Sequence, residues 1–122
     1  MAFSWESMKK VALFAFRGEP MCFVHVLLNG LDMRERGMDV AIILEGAATK
    51  AAVELAMEGA DYHDLYVQVR DSGLIDCVCR ACSYKMGVLA EIEAQKLPLG
   101  TDMKGHPSMA RYIEDGYEII TF

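Results

Sequence analysis

The hydrophobic and polar positions of this chain divide it into two kinds of segment. Short, mainly apolar runs occupy residues 11–16, 39–45, 74–79 and 118–122. Such runs are typical of strands that are buried on both faces of a parallel sheet. Between them, apolar residues recur at the spacing of helices that bury one side. The pattern therefore predicts strands that alternate with helices along the chain.

Turn and capping residues set the expected bounds of the helices. Pro20 suits a first helical turn, and Ser108 is a plausible N-cap. The predicted helices cover residues 21–36, 47–57, 62–72, 83–96 and 109–115. Residues 62–72 also allow a strand, but helical spacing is favoured. Residues 97–100 could form a brief further strand, because proline is tolerated at strand starts and edges.

This alternation predicts an α/β fold of the open, doubly wound type, with a parallel sheet and helices on both faces. The length of 122 residues indicates one domain over residues 1–122, with residues 1–10 as a tail or cap. In such folds, reactive groups gather at the carboxyl ends of the strands. That edge is expected to collect residues 17–19, Gly46, residues 79–82 and the loop through His106.

Composition narrows the classes of partner. The net charge of −6, without a basic stripe, argues against binding to nucleic acid. The longest uncharged apolar run, residues 21–31, is far below the ~20 residues of a membrane span. The N-terminus lacks the pattern of a signal peptide, so a cytoplasmic protein is expected. A hydrophobic share of 53% and nine methionines suggest apolar surface that another subunit covers, as in a homo-oligomer.

Three of the four cysteines lie within residues 77–82. Cys77 and Cys79 point to the same face of a strand, and Cys77 is expected to be a core residue. Cys79 at the strand end and Cys82 in the next helical turn form a C-x-x-C pair. Both thiols are expected to face solvent, with pKa values lowered by helix N–H groups and Arg80. The competing interpretation is that they pack as small hydrophobes, as is expected of Cys22.

His106 is the histidine that the fold is expected to bring to the same edge. It could deprotonate a thiol or hold an anion, or it could simply be exposed in a turn. A metal site of Cys77, Cys79, Cys82 and His106 is a further alternative, but structural zinc favours two separated C-x-x-C pairs and only one is present. No metal or cofactor is predicted, since nucleotide-binding glycine motifs are also missing. His25 and His63 are assigned structural or subunit-contact roles.

The chain resembles the DsrE/DsrF-like family, which includes the DsrE and TusD sulfur-relay subunits and YchN-like proteins. The resemblance runs from the first strand to the last, and residues 79–88 carry its most specific part. In DsrE- and TusD-like members the sulfur-carrying cysteine stands eight positions before a glycine, which corresponds to Cys79 and Gly87. YchN-like members have a second cysteine at the position of Cys82. Met86 departs from the arginine usual before that glycine, which weakens any carry-over of a partner surface.

This resemblance implies a small α/β fold assembled as trimers or hexamers, which passes persulfide sulfur between a protein donor and a protein acceptor. It leads us to expect a sulfur carrier or sulfurtransferase-like protein that needs no cofactor. Cys79 is the expected acceptor, Cys82 the resolving or alternate thiol, and His106 the accompanying histidine. The alternative is a non-catalytic oligomeric or regulatory domain whose cysteines are packed or bind a metal.

Overall fold

Five parallel strands form one open sheet in the computed structural model, which describes residues 8–122. The strands are β1 (Lys10–Ala15), β2 (Asp39–Leu44), β3 (Ile75–Cys79), β4 (Leu99–Gly100) and β5 (Glu118–Thr121). They lie side by side in the order β4-β3-β2-β1-β5, and every neighbouring pair is parallel. The predicted parallel sheet is confirmed, including the brief strand that ends at Gly100. Of the predicted N-terminal tail, residues 1–7 lie outside the described residues, and Lys10 already belongs to β1.

Six helices connect these strands within the described residues. They are α1 (Pro20–Glu35), α2 (Ala48–Glu54), α3 (His63–Asp71), α4 (Arg80–Lys85), α5 (Leu89–Ala94) and α6 (Met109–Glu114). The helical interpretation of residues 62–72 is confirmed, and His63 is the first residue of α3. The single helix predicted over residues 83–96 is wrong. It is two helices, because Gly87 adopts a left-handed backbone conformation with φ +76° and ends α4.

The helices cover the two faces of the sheet unequally. One large apolar cluster joins α1, α2, α3 and α5 to strand residues such as Leu13 and Val78. On the other face, Phe14, Ile43 and Cys77 pack against Tyr112 of α6. From β1 to β4, each new strand is added toward one end of the sheet, whereas β5 lies beside β1 at the other end. Right-handed crossovers therefore place α6 on the opposite face. This arrangement is the doubly wound fold that was predicted. Over residues 8–122, no helix is both long and apolar enough to cross a bilayer.

The carboxyl edge of the sheet brings three distant segments together. Glu45 follows β2, Cys79 ends β3, and the loop of residues 101–108 follows β4. The loop is joined to the start of α4, because the Ala81 backbone N–H donates to the Gly105 carbonyl at 2.9 Å. The segments that carry the candidate chemistry therefore meet at one place, as the parallel topology predicts.

Candidate thiol site

Cys79 is at once the last residue of β3 and the N-cap of α4. Its Sγ accepts a hydrogen bond from the Cys82 backbone N–H at 3.3 Å. One residue further on, the Ser83 hydroxyl donates to the Cys79 carbonyl at 2.7 Å. The strand-to-helix turn is therefore held at both its side chain and its backbone, and it presents the Cys79 and Cys82 side chains in the same direction.

His106 contacts both sulfur atoms. Its Nδ1 lies 3.0 Å from the Cys79 Sγ and 3.7 Å from the Cys82 Sγ. The neighbouring Gly105 has φ +91°, and a Cβ there would lie 3.1 Å from the Cβ of Ala81. Glycine thus allows the loop to pass close over the start of α4 and to place the imidazole beside the thiols. The structure brings together the three residues that the sequence singled out.

Glu45 is a fourth member that the sequence interpretation missed. One ligating atom each from Glu45, Cys79, Cys82 and His106 forms a group whose members all lie within 4.8 Å of one another. Glu45 is only 9% exposed. Burial raises the pKa of its carboxyl, an effect that the charge of His106 partly offsets. The available signal was its position directly after a buried strand, but that signal needs the knowledge that β2 lies beside β3.

The expectation of a solvent-facing, low-pKa thiol is wrong for Cys79. The residue is 0% exposed, because the loop that carries His106 covers the strand end. Burial, with the Cys82 side chain as the next contributor, raises the pKa of the Cys79 thiol to about 12. The N–H bond from Cys82 acts in the opposite direction but does not outweigh burial. A helix N-terminus therefore does not by itself make this thiol acidic.

Cys82, by contrast, is partly exposed and lines an open groove of about 1110 Å³. Arg80, Lys85 and Lys104 also line this groove, together with His106. No aspartate or glutamate is among the described residues that form its walls. The groove is thus a positively charged surface on a protein whose net charge is −6. Anions are attracted to such a surface.

The remaining cysteines lie apart from this group. Cys77 is buried, and its Sγ lies 3.5 Å from the Tyr112 hydroxyl. Its assignment to the core is confirmed, and burial raises its pKa. The alternative metal set of Cys77, Cys79, Cys82 and His106 does not form, since Glu45 and not Cys77 completes the group. Cys22 is a half-buried residue of α1, and all four cysteines are free thiols.

The unequal burial of the thiols predicts an order of alkylation. In the native, reduced protein, iodoacetamide is expected to modify Cys82 and Cys22 well before Cys79 and Cys77, because only the first two reach solvent. Peptide mapping by mass spectrometry over a time course measures this order, and the same reaction in denaturant serves as the control. Modification of Cys79 at the rate of Cys82 would contradict the burial described for Cys79.

Fold and site together define a small α/β protein that holds a C-x-x-C pair and a histidine at the carboxyl edge of a parallel sheet. The sequence profile of the DsrE/DsrF-like family matches residues 10–122, and the chain belongs to this family. The family resemblance inferred from residues 79–88 is confirmed.

Similar proteins come from archaea and bacteria. The chain is 37% identical over 97 residues to the uncharacterized protein MJ0733 of Methanocaldococcus jannaschii, a match that covers 80% of this chain and 77% of that protein. It is 38% identical over 48 residues to an uncharacterized protein of Archaeoglobus fulgidus, which covers 39% of this chain and 79% of that protein. A conserved protein of unknown function from Bacteroides thetaiotaomicron, BT1422, has a solved structure with a TM-score of 0.70. That match covers 93% of this chain and 95% of the other at 18% identity, and it supports the fold.

Proposed function

We propose that this protein is a sulfur carrier, or sulfurtransferase, that accepts and passes persulfide sulfur at the Cys79–Cys82 pair. The observation that carries the proposal is the contact of both sulfur atoms with one histidine nitrogen, at 3.0 Å and 3.7 Å, beside an open groove. Thiol exchange needs a thiolate, a nearby base that accepts the thiol proton, and a surface through which a partner can reach the sulfur. Membership of the DsrE/DsrF-like family, which is linked to sulfur relay, supports the same conclusion.

The two thiols differ in exposure, and this difference gives them different proposed roles. Cys82 lines the groove, whereas Cys79 is 0% exposed. A donor that approaches through the groove meets the Cys82 sulfur first. We therefore assign Cys82 as the receiving thiol and Cys79 as the second thiol. This order reverses the one that the family likeness implies, in which the cysteine eight positions before the glycine accepts the sulfur.

Sulfur transfer to Cys82 is an exchange without net oxidation. The Cys82 thiolate attacks the outer sulfur of a donor persulfide, R–S–SH, and the donor S–S bond breaks. The immediate products are Cys82–S–SH and the donor thiolate, R–S⁻, which is then protonated to the thiol R–SH. His106 accepts the proton of the Cys82 thiol before the attack and supplies it to the departing thiolate, since its Nδ1 lies 3.7 Å from the Cys82 Sγ.

The bound sulfur can leave in two ways. A thiolate of an acceptor protein can attack the outer sulfur, which regenerates Cys82 and leaves the acceptor as a persulfide. Alternatively, Cys79 can attack the inner sulfur, so that HS⁻ departs and a Cys79–Cys82 disulfide forms. An external dithiol must then reduce this disulfide before another cycle. The short separation of the two sulfur atoms, within 4.8 Å, suits the second route.

The surroundings of the site support protein partners and a reducing compartment. The positive groove attracts the anionic persulfide and, with it, an acidic surface of the donor.

We place the protein in the cytoplasm, where four free cysteines persist. Exposed apolar side chains such as Met21 (76%), Tyr84 (74%) and Ile113 (59%) support assembly into a homo-oligomer.

Incubation with a low-molecular-weight persulfide, in the presence of a chelator, tests the proposal. The reduced protein is expected to gain the mass of one sulfur atom, located by proteolysis to the peptide that carries Cys79 and Cys82. Cys22→Ser, which removes a half-buried thiol on α1, is the matched control and should gain the same mass. Absence of the added sulfur from that peptide would reject the assignment.

A further inference from the structure

We infer that Glu45, Cys79, Cys82 and His106 form a binding site for Zn²⁺. The donors are the Cys79 Sγ, the Cys82 Sγ, the His106 Nδ1 and one carboxylate oxygen of Glu45, all within 4.8 Å of one another. With bonds of ~2.0–2.3 Å, the donors of a tetrahedral zinc ion lie about 3.3–3.8 Å apart. The separations between Nδ1 and the two sulfur atoms, 3.0 Å and 3.7 Å, are already close to this range. Zinc binding requires the more distant donors to approach one another and the His106 Nδ1 and Cys79 Sγ, at 3.0 Å, to move slightly apart.

The donor types select the metal. Two thiolates, one imidazole and one carboxylate form a set that zinc accepts, whereas Ca²⁺ and Mg²⁺ require oxygen ligands. Four protein donors leave no open position for water, which is the mark of a closed site and not of a catalytic zinc. The N–H bond from Cys82 to the Cys79 Sγ, at 3.3 Å, also suits a metal-bound thiolate, because it stabilises charge on the sulfur.

Burial gives a second reason for a cation at this place. Glu45 is 9% exposed and Cys79 is 0% exposed, so a carboxyl group and a thiol lie away from water beside one histidine. Buried acidic groups are stabilised when a positive ion binds them. A zinc ion among the four donors neutralises both thiolates and satisfies the carboxylate. Each thiol releases its proton to solvent when it binds the ion.

Zinc and sulfur compete for the same atoms. When both thiolates bind the metal, neither can attack a persulfide, so the zinc-bound form is a protected state that does not load sulfur. This consequence, unlike the metal site, rests on the proposed function. The class of ligand is a soft or borderline divalent cation, and the effect on the carrier is inhibition.

Cobalt and zinc titrations of the reduced, chelator-stripped full chain test the site. Co²⁺ is expected to give thiolate-to-cobalt charge-transfer and tetrahedral d–d absorption at one ion per chain, and Zn²⁺ should displace it. Competition with a chromogenic chelator gives the zinc affinity. Glu45→Gln should weaken it by at least about tenfold. Cys82→Ser should remove most of the charge-transfer band, whereas Cys22→Ser should leave band and affinity unchanged, since Cys22 lies on α1 outside the group.

Two results would overturn the inference: no charge-transfer band in the wild-type protein, or an unchanged zinc affinity in Glu45→Gln. If circular dichroism shows that Glu45→Gln does not fold, the zinc affinity of His106→Ala, a change in the covering loop, is measured instead. An unchanged affinity in that variant would equally overturn the inference. Sulfur loading is measured in parallel, in chelator and in zinc. Loading without zinc binding rejects only the metal site, and zinc binding without loading rejects only the sulfur carrier.

Discussion

Cys82→Ser is expected to reduce persulfide loading by at least about 100-fold, because a serine hydroxyl is not a nucleophile for sulfane sulfur at neutral pH. Cys79→Ser is expected to load sulfur at nearly the wild-type rate and to lose the release of HS⁻. The difference follows from position: Cys82 lines the groove, whereas Cys79 lies covered beneath it. Serine is also a good N-cap, so Cys79→Ser retains the start of α4.

The two activities are measured separately in chelator-containing buffer. Mass spectrometry over time gives the loading rate, and a colorimetric sulfide assay gives the release of HS⁻. Cys22→Ser should match the wild-type protein in both. If Cys79→Ser lost loading and Cys82→Ser retained it, the roles of the two thiols would be exchanged and Cys79 would be the receiving thiol.

Phe14→Ala is expected to lower the free energy of unfolding by about 3–5 kcal/mol, the usual loss when a large buried aromatic side chain is deleted. Phe14 is fully buried on β1, between β2 and β5 in the sheet. Its ring meets that of Tyr112 edge to face, with centroids 5.5 Å apart. The deletion leaves a cavity under α6, the short helix that covers this face of the sheet.

Urea unfolding followed by circular dichroism measures this change. Ile113→Ala is the matched control on the same helix. Ile113 adjoins Tyr112 but is 59% exposed, so its replacement should change the free energy of unfolding by no more than about 0.5 kcal/mol. A loss below about 1 kcal/mol for Phe14→Ala would show that the face under α6 contributes little to stability.

Much of the fold can be predicted from the sequence because parallel strands are buried on both faces and so form short apolar runs. The strands that begin at Lys10, Asp39 and Ile75 are such runs. The break between α4 and α5 was harder to foresee. A single glycine is tolerated inside a helix at a cost of about 1 kcal/mol. Whether Gly87 ends the helix depends on how the following residues pack, and Val88 and Ile92 are drawn into the core.

The site could be predicted where it depends on local position or on the general topology of a parallel sheet. Cys79 and Cys82 follow a buried strand, and His106 lies in a loop that the topology sends to the same edge. The role of Glu45 depends on the pairing of β2 with β3, which periodicity does not reveal. The burial of Cys79 depends on a loop from much later in the chain. Such long-range contacts decide whether a thiol at a helix start is exposed and acidic or covered and neutral.

The hydrogen bond from the Cys82 amide to the Cys79 sulfur links covalent chemistry to helix structure. The Cys79 Sγ caps the N-terminus of α4, and the same atom is the one proposed to form the disulfide with Cys82. A thiol, a disulfide and a metal-bound thiolate differ in how strongly they accept this bond. The Cys82 amide proton is therefore an intrinsic spectroscopic probe. Its chemical shift reports the state of a sulfur atom that is buried in the folded protein.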